Sequence, residues 1–154
     1  MTLPSGRLQK ISNENIFIDF AHTPDALEAV CSELKKKNHK GLKLVFGAGG
    51  DRDQGKRELM GNVAQKYAKK IYITSDNPRF EKPEEIIEMI ATGISDKDKV
   101  IIESDRAEAI SMAIRELNKG EILLITGKGH EEYQIIGNEK KPFSDYEEIL
   151  KCIK

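Results

Sequence analysis

Residues 71–83 read Ile-Tyr-Ile-Thr-Ser-Asp-Asn-Pro-Arg-Phe-Glu-Lys-Pro. The first four are a β-branched and aromatic run, the composition of a buried strand. Ser75-Asp76-Asn77-Pro78 cannot extend that strand and favours a turn. Pro83 then opens a helix, with Glu84 and Glu85 in the first turn, where the helix dipole favours acids. Strand, polar turn and helix form the unit of an open α/β sheet, and ligands bind such sheets at the carboxyl ends of the strands. Here Asp76, Asn77 and Arg79 place a carboxylate, an amide and a guanidinium within four residues. Such a set can read both the ammonium and the carboxylate of an amino acid. Taken alone, the stretch fits a polar turn with a surface arginine equally well.

The same alternation runs outward in both directions. Residues 15–20 and 42–46 read as strands before it, and 100–103 and 121–126 as strands after it. Thr23 caps a helix that has Pro24 at its first position and Leu27, Val30, Cys31 and Leu34 as its apolar stripe. A helix over about 56–69 is expected to turn Leu59, Met60, Val63 and Tyr67 inward. The helix from Pro83 carries Ile86, Ile87 and Ile90, with Gly93 as terminator. Asp105 with Glu108 and Ser144 with Glu147 have the spacing of capping boxes. Residues 132–136 read as an edge strand, turned at Gly137-Asn138 toward 141–143. Strands this apolar need cover on both faces, which makes the sheet mainly parallel. The expected fold is a single α/β domain, a Rossmann-like three-layer sandwich with an antiparallel edge strand supplied by the final hairpin.

Composition narrows the function. The 154 residues suit one domain with a real core, and 25 basic against 26 acidic residues give a net charge of −1. That balance gives no case for nucleic-acid or membrane binding. Cys31 and Cys152 show no metal-ligand spacing, no run approaches spanning length, and there is no signal-peptide layout, so a cytoplasmic domain is expected. No Ser-His-Asp or Cys-His set and no metal cluster is visible.

Polar clusters follow four strand ends, at 19–22, 47–57, 76–79 and 127–131, and a doubly wound sheet would bring all four to one rim. In the glycine loop after residue 46, the third glycine of a dinucleotide fingerprint would fall at Arg52, and Gly55-Lys56 is followed by Arg57 instead of the Ser or Thr of a P-loop. Arg52 is placed to hold a carboxylate bidentately, unless Asp51, Arg52 and Asp53 only pair among themselves. Gly127-Lys128-Gly129-His130-Glu131 lets backbone approach a ligand, and Glu131 could receive an ammonium. His130 reads as structural. His22 could touch a phosphate or simply hold its turn.

Together these motifs resemble the C-terminal domain of the Mur ligases. The resemblance rests on Gly6-Arg7-Leu8-Gln9, on Asp19-Phe20-Ala21-His22-Thr23-Pro24-Asp25, and on Val45-Phe46-Gly47-Ala48-Gly49-Gly50-Asp51-Arg52-Asp53 with Gly55-Lys56-Arg57. Ser75-Asp76-Asn77-Pro78-Arg79 and Gly127-Lys128-Gly129-His130-Glu131-x-Tyr133-Gln134 complete it. Order and spacing agree along essentially the whole chain. Phe20 stands where tyrosine is common and Gln9 where glutamate is.

The resemblance implies the third domain of a three-domain, ATP-dependent ligase of peptidoglycan synthesis, with residues 1–10 as interdomain connector. The N-terminal and central domains, absent here, would hold the UDP-MurNAc dipeptide, the P-loop and the Mg2+. A carboxyl would be activated as an acyl phosphate and attacked by the incoming amine. No catalytic or metal-binding residue is expected in this domain, which alone would be inactive and monomeric. Carried over residue by residue, Arg52, Asp76, Asn77, Arg79, Gly127 and Glu131 would bind the amino acid. Arg7, Asp19 and His22 would bind ATP. The Asp-Asn-Pro-Arg form resembles that of members selecting meso-diaminopimelate; lysine-adding relatives usually lack the arginine. The physics agrees, because lysine would leave a carboxylate-pairing arginine empty. A lysine-adding ligase and a stand-alone nucleotide-binding or interaction module are the alternatives.

Overall fold

The computed structural model describes residues 8–11, 15–37, 40–50, 54–129 and 131–153. Arg7, Arg52 and His130, read in the sequence analysis, lie outside them. Along the described residues the strands are β1 (Gln9–Ile11), β2 (Ile16–Asp19), β3 (Leu42–Phe46), β4 (Lys70–Ile73), β5 (Val100–Ile102), β6 (Ile122–Thr126), β7 (Tyr133–Ile136) and β8 (Glu139–Pro142). The helices are α1 (Pro24–Lys35), α2 (Gly55–Tyr67), α3 (Pro83–Ala91), α4 (Arg106–Arg115) and α5 (Asp145–Ile153).

The main sheet has the order β1-β2-β6-β3-β4-β5, and every neighbouring pair except β1–β2 is parallel. Side chains alternate between its faces, as the two-residue period of a strand requires. Leu42, Leu44, Phe46, Ile71, Ile73, Ile122 and Leu124 face one core with Leu27, Met60 and Ile87 from α1, α2 and α3. Val45, Tyr72, Leu123 and Ile125 face the other, with Ala109, Ile110 and Ile149 from α4 and α5. This is the three-layer arrangement expected from the apolar strand runs.

Two details differ from the sequence reading. The antiparallel edge belongs to β1, whereas β7 and β8 form a separate two-stranded sheet. The hairpin has no buried face to add to the main sheet, since β7 is at most half-buried and β8 is exposed throughout. Part of its backbone bonding goes instead to the loop after β4. The second difference is the face of α2. Leu59 is exposed, Val63 and Tyr67 are half-buried, and the buried stripe is Arg57, Met60, Gly61 and Ala64. Gly61 and Gly93 explain this rotation. A Cβ on Gly61 would lie 2.2 Å from the Ile90 carbonyl oxygen, and one on Gly93 2.1 Å from that of Glu58. These two glycines let α2 and the end of α3 touch, and that contact turns Leu59 outward.

The caps follow the sequence. Thr23 Oγ1 accepts from Ala26 N, the Asp105 carboxylate from Ala107 and Glu108 N, and Ser144 Oγ from Glu147 N. Pro24 and Pro83 sit in the first turns of α1 and α3.

Candidate functional site

Because β2, β3, β4 and β6 run parallel, their carboxyl ends finish on one rim of the sheet. There a cavity of about 360 Å³ is lined by Asp76, Asn77 and Arg79 from the β4 end and by Gly127 and Glu131 from the β6 end. Ala48, Gly49, Lys56 and Arg57 wall it on the β3 side, and Phe20, His22 and Thr23 on the β2 side. Five of the six residues assigned to an amino acid therefore share one hollow; the sixth is Arg52.

Lys128 organises the floor. It is fully buried, and its ammonium donates to Asn77 Oδ1 at 2.8 Å and to the Tyr133 carbonyl at 3.0 Å. It also stands 3.1 Å from Asp76 Oδ1 and 3.8 Å from Glu131 Oε1. Ile135 N donates to the same Asn77 oxygen at 2.9 Å. Two donors on one amide atom identify it as the oxygen. Asn77 consequently keeps its NH2 end for other acceptors. Asp76 Oδ1 is buried and, despite the nearby ammonium, makes no hydrogen bond in the described structure.

Glycines make the walls meet. Gly127 has φ +116°, and a Cβ there would lie 3.0 Å from Asp76 Oδ2. The glycine loop after β3 is used in the same way. A Cβ on Gly47 would lie 2.2 Å from the Thr74 carbonyl oxygen, and one on Gly50 1.8 Å from that of Pro78. Gly50 N also donates to the Asn77 carbonyl at 2.7 Å. So these glycines seat the loop against residues 74–78.

Arg79 has φ +52°, a left-handed backbone that costs an arginine energy and needs outside support. The hairpin supplies it: Arg79 N donates to the Ile135 carbonyl, and Gly137 N donates to the Arg79 carbonyl. Gln134 Nε2 adds bonds to Ser75 Oγ and the Asp76 carbonyl. Arg79 Nη1 donates to the Gly50 carbonyl at 3.0 Å and, more weakly, to that of Asn77 at 3.4 Å. Among the described residues no carboxylate pairs with its guanidinium, a planar fork of the kind that grips carboxylates.

Two buried arginines brace the site: Arg106, which the sequence analysis did not single out, and Arg57, which it named in a motif without a role. Arg106 and Asp145 form a fully buried pair, with Nε to Oδ1 and Nη2 to Oδ2 both 2.8 Å. Arg106 also donates to the Ser75 and Thr126 carbonyls, each one residue before the cavity-lining Asp76 and Gly127. Burial works against its charge, but Asp145, then Asp76 and Glu131, more than offset this and raise its pKa. Arg57, also buried, grips Glu81 bidentately and donates to the Gly49 carbonyl. A sequence signal existed for Arg106: a cation in the first turn of a helix opposes the helix dipole and needs a reason to be there.

Two of the three residues assigned to ATP, Asp19 and His22, sit beside this cavity. Asp19 and His22 line an adjacent, more open hollow of about 680 Å³, with Leu8, Phe20, Ala26 and Val30; His22 and Phe20 belong to both hollows. The Asp19 carboxylate accepts from Leu8 N and Ala21 N, which leaves lone pairs for a hydroxyl donor. His22 Nδ1 lies 3.0 Å from the Phe20 carbonyl, a contact it makes as donor, so Nε2 is left for a ligand. These residues suit an apolar base and a ribose hydroxyl. Among the described residues no group of three or more His, Cys, Asp or Glu is placed to hold a metal ion. No described helix is long and apolar enough to cross a membrane.

Comparison with known proteins gives the following. The family model "Mur ligase, glutamate ligase domain" matches residues 6–129. The UDP-N-acetylmuramoyl-L-alanyl-D-glutamate--2,6-diaminopimelate ligase of Rickettsia rickettsii is 52% identical over 151 residues, covering 97% of this chain and 31% of the relative. The enzyme of that name from Aquifex aeolicus is 51% identical over 150 residues, 96% of this chain and 31% of the relative. A solved structure of a UDP-N-acetylmuramoyl-L-alanyl-D-glutamate--2,6-diaminopimelate ligase superposes with a TM-score of 0.90 at 41% identity, covering 99% of this chain and 32% of that one. The chain thus spans about a third of the length of the relatives it matches.

Proposed function

The chain belongs to the Mur ligase family, and from that premise we propose that it is the amino-acid-binding domain of an ATP-dependent ligase. The ligase adds meso-diaminopimelate to UDP-MurNAc-L-Ala-D-Glu in peptidoglycan synthesis, in the cytoplasm. One observation carries this reading: Asp76, Asn77, Arg79, Gly127 and Glu131, from two separate strand ends, line one cavity of the right size for a small amino acid.

Each residue then has a task that its surroundings support. Arg79, without a carboxylate partner among the described residues, takes the side-chain carboxylate of diaminopimelate. Asn77 adds an N–H donor to it, because its oxygen is already occupied. Asp76 and Glu131, both lining the cavity, receive an ammonium. Gly127 leaves the space that a side chain would fill. Arg52 joins as a second carboxylate partner.

Asp19, His22 and Arg7 contact ATP, Asp19 at the ribose. The dipeptide carboxyl takes the γ-phosphoryl group of ATP to give an acyl phosphate and ADP, and the amine held by this domain attacks the acyl carbon, forming the amide as phosphate and a proton leave. Magnesium and the dipeptide are bound by residues of other domains. Closing over those domains positions the amine and excludes water, so the chain alone, a monomer, does not catalyse ligation.

Calorimetry tests the reading. The chain is expected to bind meso-diaminopimelate in preference to lysine, and Arg79→Ala to remove the preference. Preference for lysine in the unmodified chain would point to a lysine-adding enzyme. Binding of ATP alone would point to a nucleotide-binding module.

A further inference from the structure

Lys128 is the most deeply buried charge in direct contact with the cavity residues, and none of the roles above uses it. Its four polar neighbours are Asn77 Oδ1, the Tyr133 carbonyl, Asp76 Oδ1 and Glu131 Oε1, at 2.8, 3.0, 3.1 and 3.8 Å. Two of them are the carboxylates proposed to hold the ligand's ammonium. We propose that Lys128 is a specificity-determining residue, whose built-in charge makes the pocket prefer an amino acid with two carboxylates over one with a single carboxylate. This rests on the amino-acid-binding reading of the same site.

The argument is one of charge balance. Asp76 and Glu131 bring two negative charges into a partly desolvated hollow, where each charge acts strongly. With both uncompensated, the hollow would favour the more cationic guest. Free lysine carries one net positive charge, whereas diaminopimelate carries none. The Lys128 ammonium stands between the two carboxylates and cancels one of those charges from within. An arginine facing a ligand carboxylate can then decide the selection without competition from a general attraction for cations. The same ammonium fixes Asn77 with its N–H2 end free, so one buried group sets both the charge and the hydrogen-bond polarity of the hollow.

A merely structural lysine would act otherwise. Its loss would loosen the site and weaken every ligand alike, whereas loss of a charge moves the ratio of two affinities in a fixed direction. The test is therefore an NMR titration of the chain with meso-diaminopimelate and, separately, with lysine, carried to tens of millimolar. In Lys128→Met the diaminopimelate-to-lysine affinity ratio should move toward lysine by on the order of tenfold. Lys128→Arg, which keeps the charge, should hold the ratio even if both affinities fall. An unchanged ratio in Lys128→Met, or an equal shift in Lys128→Arg, overturns the proposal and leaves the amino-acid-binding reading standing. Failure of the unmodified chain to bind either amino acid overturns that reading, and this inference with it. Should Lys128→Met not fold, as judged by circular dichroism, Glu131→Gln decides. It leaves the Lys128 charge less compensated, so the ratio must move toward diaminopimelate; no movement, or movement toward lysine, overturns the proposal.

Discussion

Replacing Asp145 by Asn tests the brace behind the site. The side chain keeps its shape and one acceptor oxygen, but the Arg106 guanidinium loses its countercharge in a place where neither partner is exposed to solvent. Removing one partner of a buried ion pair costs about 3–5 kcal/mol, most of it the penalty of leaving the other charge buried and uncompensated. Because Asn still accepts one of the two 2.8 Å bonds, the low end applies, about 3 kcal/mol. For a domain of this length each kcal/mol lowers Tm by roughly 2–4 °C, so a drop of about 6–12 °C is expected. Urea unfolding followed by circular dichroism should show a lower midpoint with an unchanged slope. Arg106 also holds the Ser75 and Thr126 carbonyls, so amide exchange should quicken in both 75–79 and 127–131. The double variant Arg106→Met/Asp145→Leu should recover part of the loss, since it removes both charges together. A cost under about 1 kcal/mol for Asp145→Asn, or exchange quickened in only one of the two loops, would refute the idea that one buried pair ties them together.

Other outcomes follow from single sites. Glu121, against Lys69 and Lys43 at the far end of the sheet, has its pKa lowered to about 2 in spite of its burial. A lowered folded pKa stabilises above the unfolded value of 4.5, and the contribution is lost as pH falls from there toward 2. The shift corresponds to roughly 3 kcal/mol. With Lys69 half exposed, about 2 kcal/mol is expected after screening, and Glu121→Gln should flatten this part of the stability–pH curve. Burial pushes the Cys31 thiol up to about 12, whereas Cys152 is exposed. A thiol reagent should therefore titrate one cysteine in the native chain and the second only on unfolding. Gly127→Ala should cost about 1–2 kcal/mol for its left-handed backbone. It should also weaken diaminopimelate binding, because its Cβ would press on Asp76; unchanged affinity at unchanged stability would contradict that placement.

The strand runs and the caps were legible because each depends on residues close in sequence. The apolar runs at 42–46 and 122–126 demanded cover on two faces, and Thr23, Asp105 and Ser144 each bond within three residues of themselves. What was not legible depends on contacts between distant segments. The buried face of α2 is set by Gly61 and Gly93, 32 positions apart, at their meeting with Ile90 and Glu58. The hairpin has the pattern of an edge strand of the main sheet, but it bonds the loop at Arg79, whose left-handed backbone no sequence pattern announces. At the site, the polar strand ends marked Asp76, Asn77, Arg79 and Glu131. They gave Lys128 no role although it stands in the same cluster, and they did not reach Arg106 or Asp145: the helix-start position of Arg106 hinted at a buried partner, but only the fold shows that the partner is Asp145.

A crystal structure of the chain grown with meso-diaminopimelate addresses the grip of the strand-end loops directly. The ligand should lie in the 360 Å³ cavity with one carboxylate on Arg79 and an ammonium within hydrogen-bond distance of Asp76 or Glu131. A ligand seated instead in the apolar hollow beside Leu8 and Val30, or in the cavity without touching Arg79, would contradict it.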